Sequence, residues 1–379
     1  MLTRDFDFDL PAGSIAQEPA PRGESRLLVL DRQGAERHRQ VRDLPALLRS
    51  GDLLVVNDTR VLPARLFGRR AKQPGQDDQE TGGGRIELLL VEKTGPREWD
   101  VLAKPGRRTR PGTVIELTDS TGADAKVGLT AEVLAKAGDG RHRVRFSEEV
   151  EPHLERIGHV PLPPYIKRPH GASGADKTNE AGEAGDRAAY QTVYAREAGA
   201  IAAPTAGLHF SEALLAELRA QGVEIAAVTL HVGIGTFKPV TAELVHEHRM
   251  ERERYTVPEE TAAALAAVRS RGGRVVAVGT TVVRTLESAA LQVPAGPLAT
   301  QCDVLAGAGA TDLFIVPGFR FQVVDVLLTN FHLPRSTLLM LVSAFAGQER
   351  VLAAYREAVA AGYRFYSYGD AMLAERAPG

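Results

Sequence analysis

Polar side chains suited to acid–base chemistry stand beside apolar runs at two places in this sequence. Asn330 and His332 directly follow a predicted strand, and Thr205 and His209 directly precede a predicted helix. A neutral imidazole can accept or donate a proton near neutral pH. Because the carboxyl ends of strands form the ligand sites of α/β sheets, we expect these groups to converge. The alternative is that each histidine only holds its own turn through backbone hydrogen bonds.

The segment GTTVVRTLE (279–287) places more polar groups where a predicted strand passes into a helix. Thr280 lies at the start of that helix, and Arg284 and Glu287 share one of its faces. An arginine can bind a carboxylate through two parallel hydrogen bonds. We therefore expect Arg284 to line one pocket with the two histidines. A surface ion pair between Arg284 and Glu287 is the alternative.

Gly233 and Gly235 lie in the turn HVGIGTF (231–237), which follows a predicted strand. A Rossmann nucleotide loop requires a helix directly after its glycines, and none is predicted here. The glycines still allow the backbone to approach a ligand closely. The turn is therefore predicted to bind substrate, with a simple tight turn as the alternative.

Histidine could also serve as a metal ligand. His246 and His248 lie close together, but their spacing matches no standard ligand signature. Cys302 is the single cysteine, so a cysteine-rich metal site and an intrachain disulfide are both excluded. We predict no metal requirement.

Aromatic residues are concentrated in YRFYSYGD (363–370), although they make up only 6% of the chain. Tyr366 and Tyr368 are predicted to bind substrate because aromatic faces stack on bases. The alternative is a strand that packs on the core.

Basic residues form two runs that contain no acidic residue, in a chain whose formal net charge is −2. Such local runs bind phosphate backbones, while the overall charge excludes a globally basic nucleic-acid binder. Solvated turns are the alternative. The residues predicted to bind nucleic acid are Arg60, Arg65, Arg69, Arg70, Lys104, Arg107 and Arg108.

The hydrophobic pattern predicts an α/β fold with an insertion. Short strands separated by Gly/Pro turns occupy residues 85–146 and indicate a small sandwich or barrel. After residue 200, strands alternate with helices, which is typical of a substantially parallel sheet. We predict an α/β catalytic domain made of residues 1–60 and 157–379. A small β-barrel domain, residues 61–156, interrupts it.

Strands are also predicted at residues 313–316 and 321–328, and long loops at 72–85 and 168–189. The N-terminus has no apolar core of the kind that a signal peptide needs, and the most apolar stretch is broken by polar residues. Together with the single cysteine, these features predict a cytoplasmic protein. The residues alone favour an enzyme acting on a nucleoside or nucleic acid, with a non-catalytic RNA-binding module as the competing class.

A series of motifs over nearly the whole chain resembles the S-adenosylmethionine:tRNA ribosyltransferase-isomerase family of queuosine biosynthesis. The motifs are FDFDLP (6–11), IAQEP (15–19), NDTRVLPARL (57–66), VPLPPYI (160–166), YQTVYA (190–195), APTAGLHF (203–210), TLHVGIGTF (229–237), GTTVVRTLE (279–287), TNFHLP (329–334) and YRFYSYGD (363–370). One run departs from the family pattern: in HRMERE (248–253), Glu251 and Arg252 stand where the family usually has His and Ser. An essential proton transfer by that second histidine is therefore not expected here.

The resemblance implies a reaction in which the ribosyl group of S-adenosylmethionine moves to 7-aminomethyl-7-deazaguanine at the wobble position of tRNA and is isomerised. The implied products are epoxyqueuosine-tRNA, methionine and adenine. S-adenosylmethionine is then a consumed substrate and no cofactor is expected. The implied partners are tRNA and S-adenosylmethionine, with no membrane, and the chain is expected to be a monomer or weak homodimer. Methyl transfer to tRNA and non-catalytic tRNA binding are the competing functions.

This chemistry needs a base for a ribose C5′ hydrogen, assistance for the departing adenine, and a group beside the sulfonium. Arg284 is the candidate for the methionine carboxylate. The candidate catalytic residues are His209, His332, Asp58, Glu287 and Asp370.

Overall fold

Two compact units make up the chain in the computed structural model. The structure describes residues 1–33, 36–71, 84–119, 126–138, 140–168, 179–233, 240–293 and 304–378. The first unit consists of Met1–Arg60, Pro164–Ile166 and Gln191–Gly379, and the second of Val61–Pro163 and Lys167–Tyr190. The second unit begins where the predicted insertion begins, but it continues beyond residue 156.

The described residues form strands and α-helices that we number in chain order. The strands are β1 (Arg26–Leu30), β2 (Glu36–Gln40), β3 (Leu53–Asn57), β4 (Thr59–Val61), β5 (Arg65–Arg70), β6 (Arg85–Lys93), β7 (Glu98–Lys104), β8 (Val114–Thr118), β9 (Lys126–Lys136), β10 (Arg141–Phe146), β11 (Gly158–His159), β12 (Glu197–Ala200), β13 (Glu224–Leu230), β14 (Glu253–Val257), β15 (Val275–Val278), β16 (Gly307–Thr311), β17 (Val326–Asn330) and β18 (Ala371–Glu375). The helices are α1 (Leu44–Leu47), α2 (Leu154–Ile157), α3 (Asn179–Ala189), α4 (Glu212–Ala220), α5 (Glu259–Ser270), α6 (Thr280–Leu291), α7 (Thr337–Ala346) and α8 (Gln348–Ala360).

A large mixed sheet forms the centre of the first unit. Its strand order is β16-β14-β13-β3-β15-β17-β18-β1-β2. The four neighbours β13, β3, β15 and β17 are mutually parallel, so their carboxyl ends lie at the same edge. Strands β3, β15 and β17 are buried at every position because apolar clusters cover both faces of the sheet. The predicted α/β fold is confirmed.

The second unit contains a closed barrel of six antiparallel strands. The order β5-β6-β7-β10-β9-β8 closes by pairing β8 with β5, and β11 adds to the side of β5. Gly68 lies at this closure, where a Cβ atom would stand 2.5 Å from the carbonyl oxygen of Glu116. Any larger residue there would push β5 away from β8. The predicted β-barrel is therefore also confirmed.

Several predicted elements differ in detail. Residues 313–316 are not a strand; the strand is β16, and the predicted strand 321–328 begins later, as β17. The 168–189 segment contains helix α3, and the aromatic segment 363–370 is turn rather than strand. The other predicted loop falls on residues 72–83, which lie outside the described residues.

Within the described ranges, no single helix is long and apolar enough to span a membrane. Helices α7 and α8 have the required length and apolarity only when taken together, and they are bent by 116° relative to each other.

Candidate functional site

A pocket lies at the carboxyl edge of the parallel strands. Its lining comes from the ends of β15 and β17, from the segment before α4 and from the turn after β13. The lining residues are 202–206, 279–281 and 329–332, together with Val232, Leu338, Tyr366 and Ser367. Thr205, Thr280, Asn330, His332 and Tyr366, all predicted to belong to the site, therefore share one pocket. No Asp, Glu, Lys or Arg occurs among the described residues that line it.

Asn57 ties these strand ends together, a role that the sequence reasoning did not recognise. Its Nδ2 donates to the carbonyl of Leu230 at 3.0 Å and to Thr281 Oγ1 at 3.3 Å. Its Oδ1 accepts from the backbone N–H groups of Thr59 and Leu230. This buried amide thereby fixes the turn after β13 relative to the start of α6. Its position directly after an apolar strand was the available signal.

His332 is the histidine that lines the pocket. Its backbone N–H donates to Tyr355 Oη at 3.2 Å, and its Nε2 lies 2.8 Å from Thr329 Oγ1. Among the described residues, the ring forms its hydrogen bond through Nε2, which leaves Nδ1 as the nitrogen that a ligand could engage. Burial lowers the pKa of His332 to about 3, so the imidazole is neutral near neutral pH.

His209 lies behind the pocket lining rather than in it. Its Nδ1 is 3.0 Å from Ser25 Oγ and its Nε2 is 3.2 Å from Asn330 Nδ2. Burial, assisted by the positive charges of Arg364 and Arg22, lowers its pKa to about 4. Both ring nitrogens are thus engaged within the protein.

Among the described residues other than glycine, only Tyr366 and Arg335 have a positive φ, and the value for Tyr366 is 76°. Such a conformation is strained and persists where surrounding bonds enforce it. Asn330 Nδ2 donates to the Tyr366 carbonyl at 3.1 Å, and the Tyr366 N–H donates to the carbonyl of Phe331 at 3.0 Å. The ring of Tyr165 packs edge-on against Tyr366 at 3.9 Å. Burial raises the pKa of Tyr366 to about 12, so the phenol stays neutral.

Arg284 does not line the pocket with the two histidines, contrary to our expectation. It is 2% exposed and forms a buried ion pair with Glu253. It also donates to the carbonyl of Leu313 at 3.1 Å. Glu253 in turn accepts from the backbone N–H of Gly233 at 3.0 Å. Arg284 therefore stabilises the turn after β13, and Glu253 is a further residue that the sequence reasoning missed.

The predicted carboxylates are occupied by structural partners. Glu287 accepts hydrogen bonds from the N–H groups of residues 322, 323 and 324, and burial raises its pKa. Asp370 accepts from the backbone N–H groups of Arg26 and Arg364. Neither lines the pocket, because each satisfies buried backbone donors elsewhere.

Asp58 likewise lies outside the lining. It pairs with Arg196 at 2.9 Å and accepts from Thr229 Oγ1 at 2.7 Å. Tyr368 is buried without lining the pocket, and Gly233 adjoins the lining residue Val232. Gly235 lies outside the described residues.

The basic runs are brought to one end of the barrel. Strands β5, β7 and β9 end there and β6, β8 and β10 begin there, because neighbouring strands are antiparallel. The exposed basic residues at this end are Arg69, Arg70, Arg85, Lys104, Arg107, Arg110 and Lys136. The strand registers place Glu116 opposite Arg69 and Glu87 opposite Lys104, so basic residues predominate at this end but have acidic neighbours. We call it the basic end.

The opposite end of the barrel carries charges of both signs, since Glu98 pairs with Arg145 at 2.8 Å and Glu151 pairs with Lys93. Of the other predicted nucleic-acid-binding residues, Arg65 pairs with Glu87 at 3.0 Å and so is not free of acidic neighbours in space. Arg60 belongs to the first unit. The side chain of Arg108 lies outside the described residues.

In the part of the chain that the structure describes, no group of three or more His, Cys, Asp or Glu side chains is placed to hold a metal ion. His248 packs edge-on against Phe314, with ring centroids 5.2 Å apart. The absence of a metal requirement stays a prediction.

Comparison with known proteins identifies the family. The family model described as queuosine biosynthesis protein matches residues 3–374. The chain is 52% identical over 373 residues to the S-adenosylmethionine:tRNA ribosyltransferase-isomerase of Gloeobacter violaceus, covering 98% of this chain and 95% of the relative. It is 51% identical over 379 residues to the enzyme of the same name from Moorella thermoacetica, with 98% and 99% coverage.

A solved structure is also similar. The crystal structure of S-adenosylmethionine tRNA ribosyltransferase from Thermotoga maritima is 37% identical, with a TM-score of 0.50, and the match covers 97% of this chain and 99% of that one. The resemblance predicted from the motifs is confirmed: the chain belongs to the queuosine biosynthesis protein family.

Proposed function

We propose that this chain is an S-adenosylmethionine:tRNA ribosyltransferase-isomerase. It transfers the ribosyl group of S-adenosylmethionine to the amine of 7-aminomethyl-7-deazaguanine at the tRNA wobble position and isomerises it. Epoxyqueuosine-tRNA, methionine and adenine are the products, and S-adenosylmethionine is consumed rather than regenerated. The names of the full-length relatives support this assignment.

The observation that carries the proposal is the pocket at the carboxyl edge of β15 and β17, with a neutral imidazole in its wall. The sulfonium of S-adenosylmethionine acidifies the neighbouring C5′ hydrogens, so a base must remove one of them. His332 is the acid–base side chain that lines the pocket, and its Nδ1 is available to accept that proton. The electron pair left on C5′ initiates the rearrangement. In the net reaction, the amine nitrogen of the modified base bonds to a ribosyl carbon and loses a proton, the bond between the ribosyl group and adenine breaks and adenine takes up a proton, and the C5′–S bond breaks with its electron pair kept by the sulfur of methionine.

The basic end of the barrel supports the tRNA part of the proposal. Clustered Lys and Arg side chains bind nucleic acids mainly through phosphates. Arg69, Arg70, Lys104 and Arg107 were predicted from the sequence as two separate runs, and the antiparallel pairing of β6 with β5 and β7 brings these runs to one end of the barrel. We assign this end to the phosphate backbone of tRNA.

The decisive experiment mixes the protein with S-adenosylmethionine and tRNA that carries the modified base, and then measures small-molecule products. Free adenine and methionine in equal amounts are expected. Production of S-adenosylhomocysteine would instead show methyl transfer. Binding of the tRNA without any turnover would favour a non-catalytic binding protein.

A further inference from the structure

One residue in the wall of the pocket carries an unsatisfied polar atom. Asn330 is 2% exposed and lines the pocket, and its Oδ1 has no hydrogen-bond partner among the described residues. A buried acceptor without a partner is costly, and such atoms are commonly satisfied by a ligand or by water. The atom therefore marks a place where a bound molecule supplies a donor.

The orientation of this amide is set by its neighbours. Asn330 Nδ2 lies 3.1 Å from the carbonyl oxygen of Tyr366, which can only accept a hydrogen bond. Rotating the amide by half a turn would bring two acceptors together there. The donor nitrogen must therefore face Tyr366, which leaves Oδ1 as the partnerless acceptor.

His209 accepts a hydrogen bond from the second hydrogen of the same amide. Its Nε2, 3.2 Å from Asn330 Nδ2, must be the acceptor of that hydrogen, so the ring proton is on Nδ1 and points to Ser25 Oγ at 3.0 Å. Protonating Nε2 would set two donors against each other. The lowered pKa of His209, about 4, agrees with this arrangement.

The chemistry of the pocket selects one part of the substrate. No charged side chain occurs among its described lining residues, so it does not suit the charged amino and carboxylate groups at the amino-acid end of S-adenosylmethionine. Alanine, valine, leucine and phenylalanine side chains in the lining suit a flat, uncharged heterocycle instead. The adenine ring carries an exocyclic amine, which is a donor matched to a lone acceptor.

We propose that Asn330 Oδ1 accepts a hydrogen bond from the exocyclic amine of the adenine ring of S-adenosylmethionine, and that His209 is the positioning residue that holds this amide in place. The inference rests on the proposed function, since it takes S-adenosylmethionine as the ligand. It changes the role of His209 from a catalytic acid or base to a support for substrate selection.

The first test measures how adenosine and inosine compete with S-adenosylmethionine for the wild-type protein. Inosine places an acceptor where adenosine has the amine, so adenosine should compete about 10-fold better or more. In Asn330→Leu the two nucleosides should compete equally. The matched control is Gln221→Leu, which removes an exposed amide at the end of α4 and should keep the wild-type preference.

The second test separates positioning from proton transfer at His209. His209→Gln retains an acceptor for the Asn330 amide, whereas His209→Leu does not. Under our proposal the leucine variant loses the preference for adenosine over inosine and shows a raised KM. The glutamine variant keeps most of that preference and has a KM close to that of the wild type. The pH profile of kcat should be unchanged in the glutamine variant. A general acid or base would instead show a loss of roughly 10²–10⁴-fold in kcat for both variants.

The outcomes distinguish this inference from the function on which it rests. If the two nucleosides compete equally for the wild-type protein, or if adenosine does not compete, the inference is overturned. The proposed function still stands in that case as long as the wild-type protein releases adenine. Failure of the folded wild-type protein to bind S-adenosylmethionine would overturn both. Circular dichroism of each variant checks that it is folded.

Discussion

Acidification should destabilise this protein through two of its buried histidines, His209 and His332. The pKa values of His209 and His332 are lowered from 6.5 to about 4 and about 3 because both rings are buried. Between these values and 6.5, the unfolded chain binds protons that the folded chain excludes. The free energy of unfolding is therefore fully retained above pH 6.5 and falls as the pH drops below it.

The magnitude follows from proton linkage. Each histidine should remove about 1.4 kcal/mol per pH unit below its unfolded pKa, until the folded pKa is reached. Acidification from neutrality to about pH 5 should thus cost on the order of 2 kcal/mol per histidine, or about 4 kcal/mol for both. A typical domain has about 5–15 kcal/mol in total, so the loss is large.

Urea unfolding at neutral pH and at about pH 5, followed by far-ultraviolet circular dichroism, measures this loss. Helices α4 to α8 belong to the same unit as both histidines, so the signal reports on that unit. The free energy of unfolding differs between the two pH values, and His209→Gln and His332→Asn should each reduce that difference by about 2 kcal/mol. This holds whatever effect the substitution has on stability at neutral pH. His246→Asn changes an exposed histidine and should preserve the wild-type difference. If the two core variants lose stability on acidification as steeply as the wild type does, the reasoning is refuted.

Four further predictions follow from the site and the barrel. His332→Asn should bind S-adenosylmethionine but release adenine roughly 10²–10⁴-fold more slowly, and near-normal turnover would remove His332 from the chemistry. Arg284→Met should destabilise the protein by about 3–5 kcal/mol because Glu253 is left buried and unpaired, and adding Glu253→Gln should recover part of that loss in urea unfolding. Replacing Arg69 and Lys104 by alanine should weaken tRNA binding and flatten its salt dependence without affecting S-adenosylmethionine binding, whereas replacing Arg145, which pairs with Glu98, should leave the salt slope unchanged. Exhaustive chelation should not reduce adenine release; activity that is lost and then restored by one metal would contradict this.

Much of the architecture could be predicted from local sequence patterns. Continuous apolar runs such as 53–56 and 275–278 indicate strands buried on both faces, and the regular Gly/Pro turns between residues 85 and 146 indicate a barrel. The glycine-poor helices after residue 200 carry their own end signals, such as the Ser211 cap that accepts from the N–H of Leu214. These signals act over a few neighbouring residues, so they can be interpreted without the tertiary structure.

The strand ends were also recognisable, because polar residues directly after apolar runs mark the edge of an α/β sheet. Thr280, Asn330 and His332 were placed at the site for that reason, and the structure brings them to one pocket. These residues lie close together because the strands that precede them are parallel. Once the sheet type is predicted, the carboxyl ends must meet at the same edge.

The partner of each polar side chain was decided only by the tertiary structure. Arg284 and Glu287 share a helix, yet one pairs with Glu253 on β14 and the other binds three backbone N–H groups after residue 321. His209 and Asn330 are separated by 121 residues along the chain and meet through one hydrogen bond. Hydrogen bonds and ion pairs depend on distances of a few ångströms between remote segments, and a residue's type and its near neighbours do not specify them. The same holds for the basic end of the barrel, where antiparallel pairing of β6 with β5 and β7 brings together two runs that are separate in the sequence.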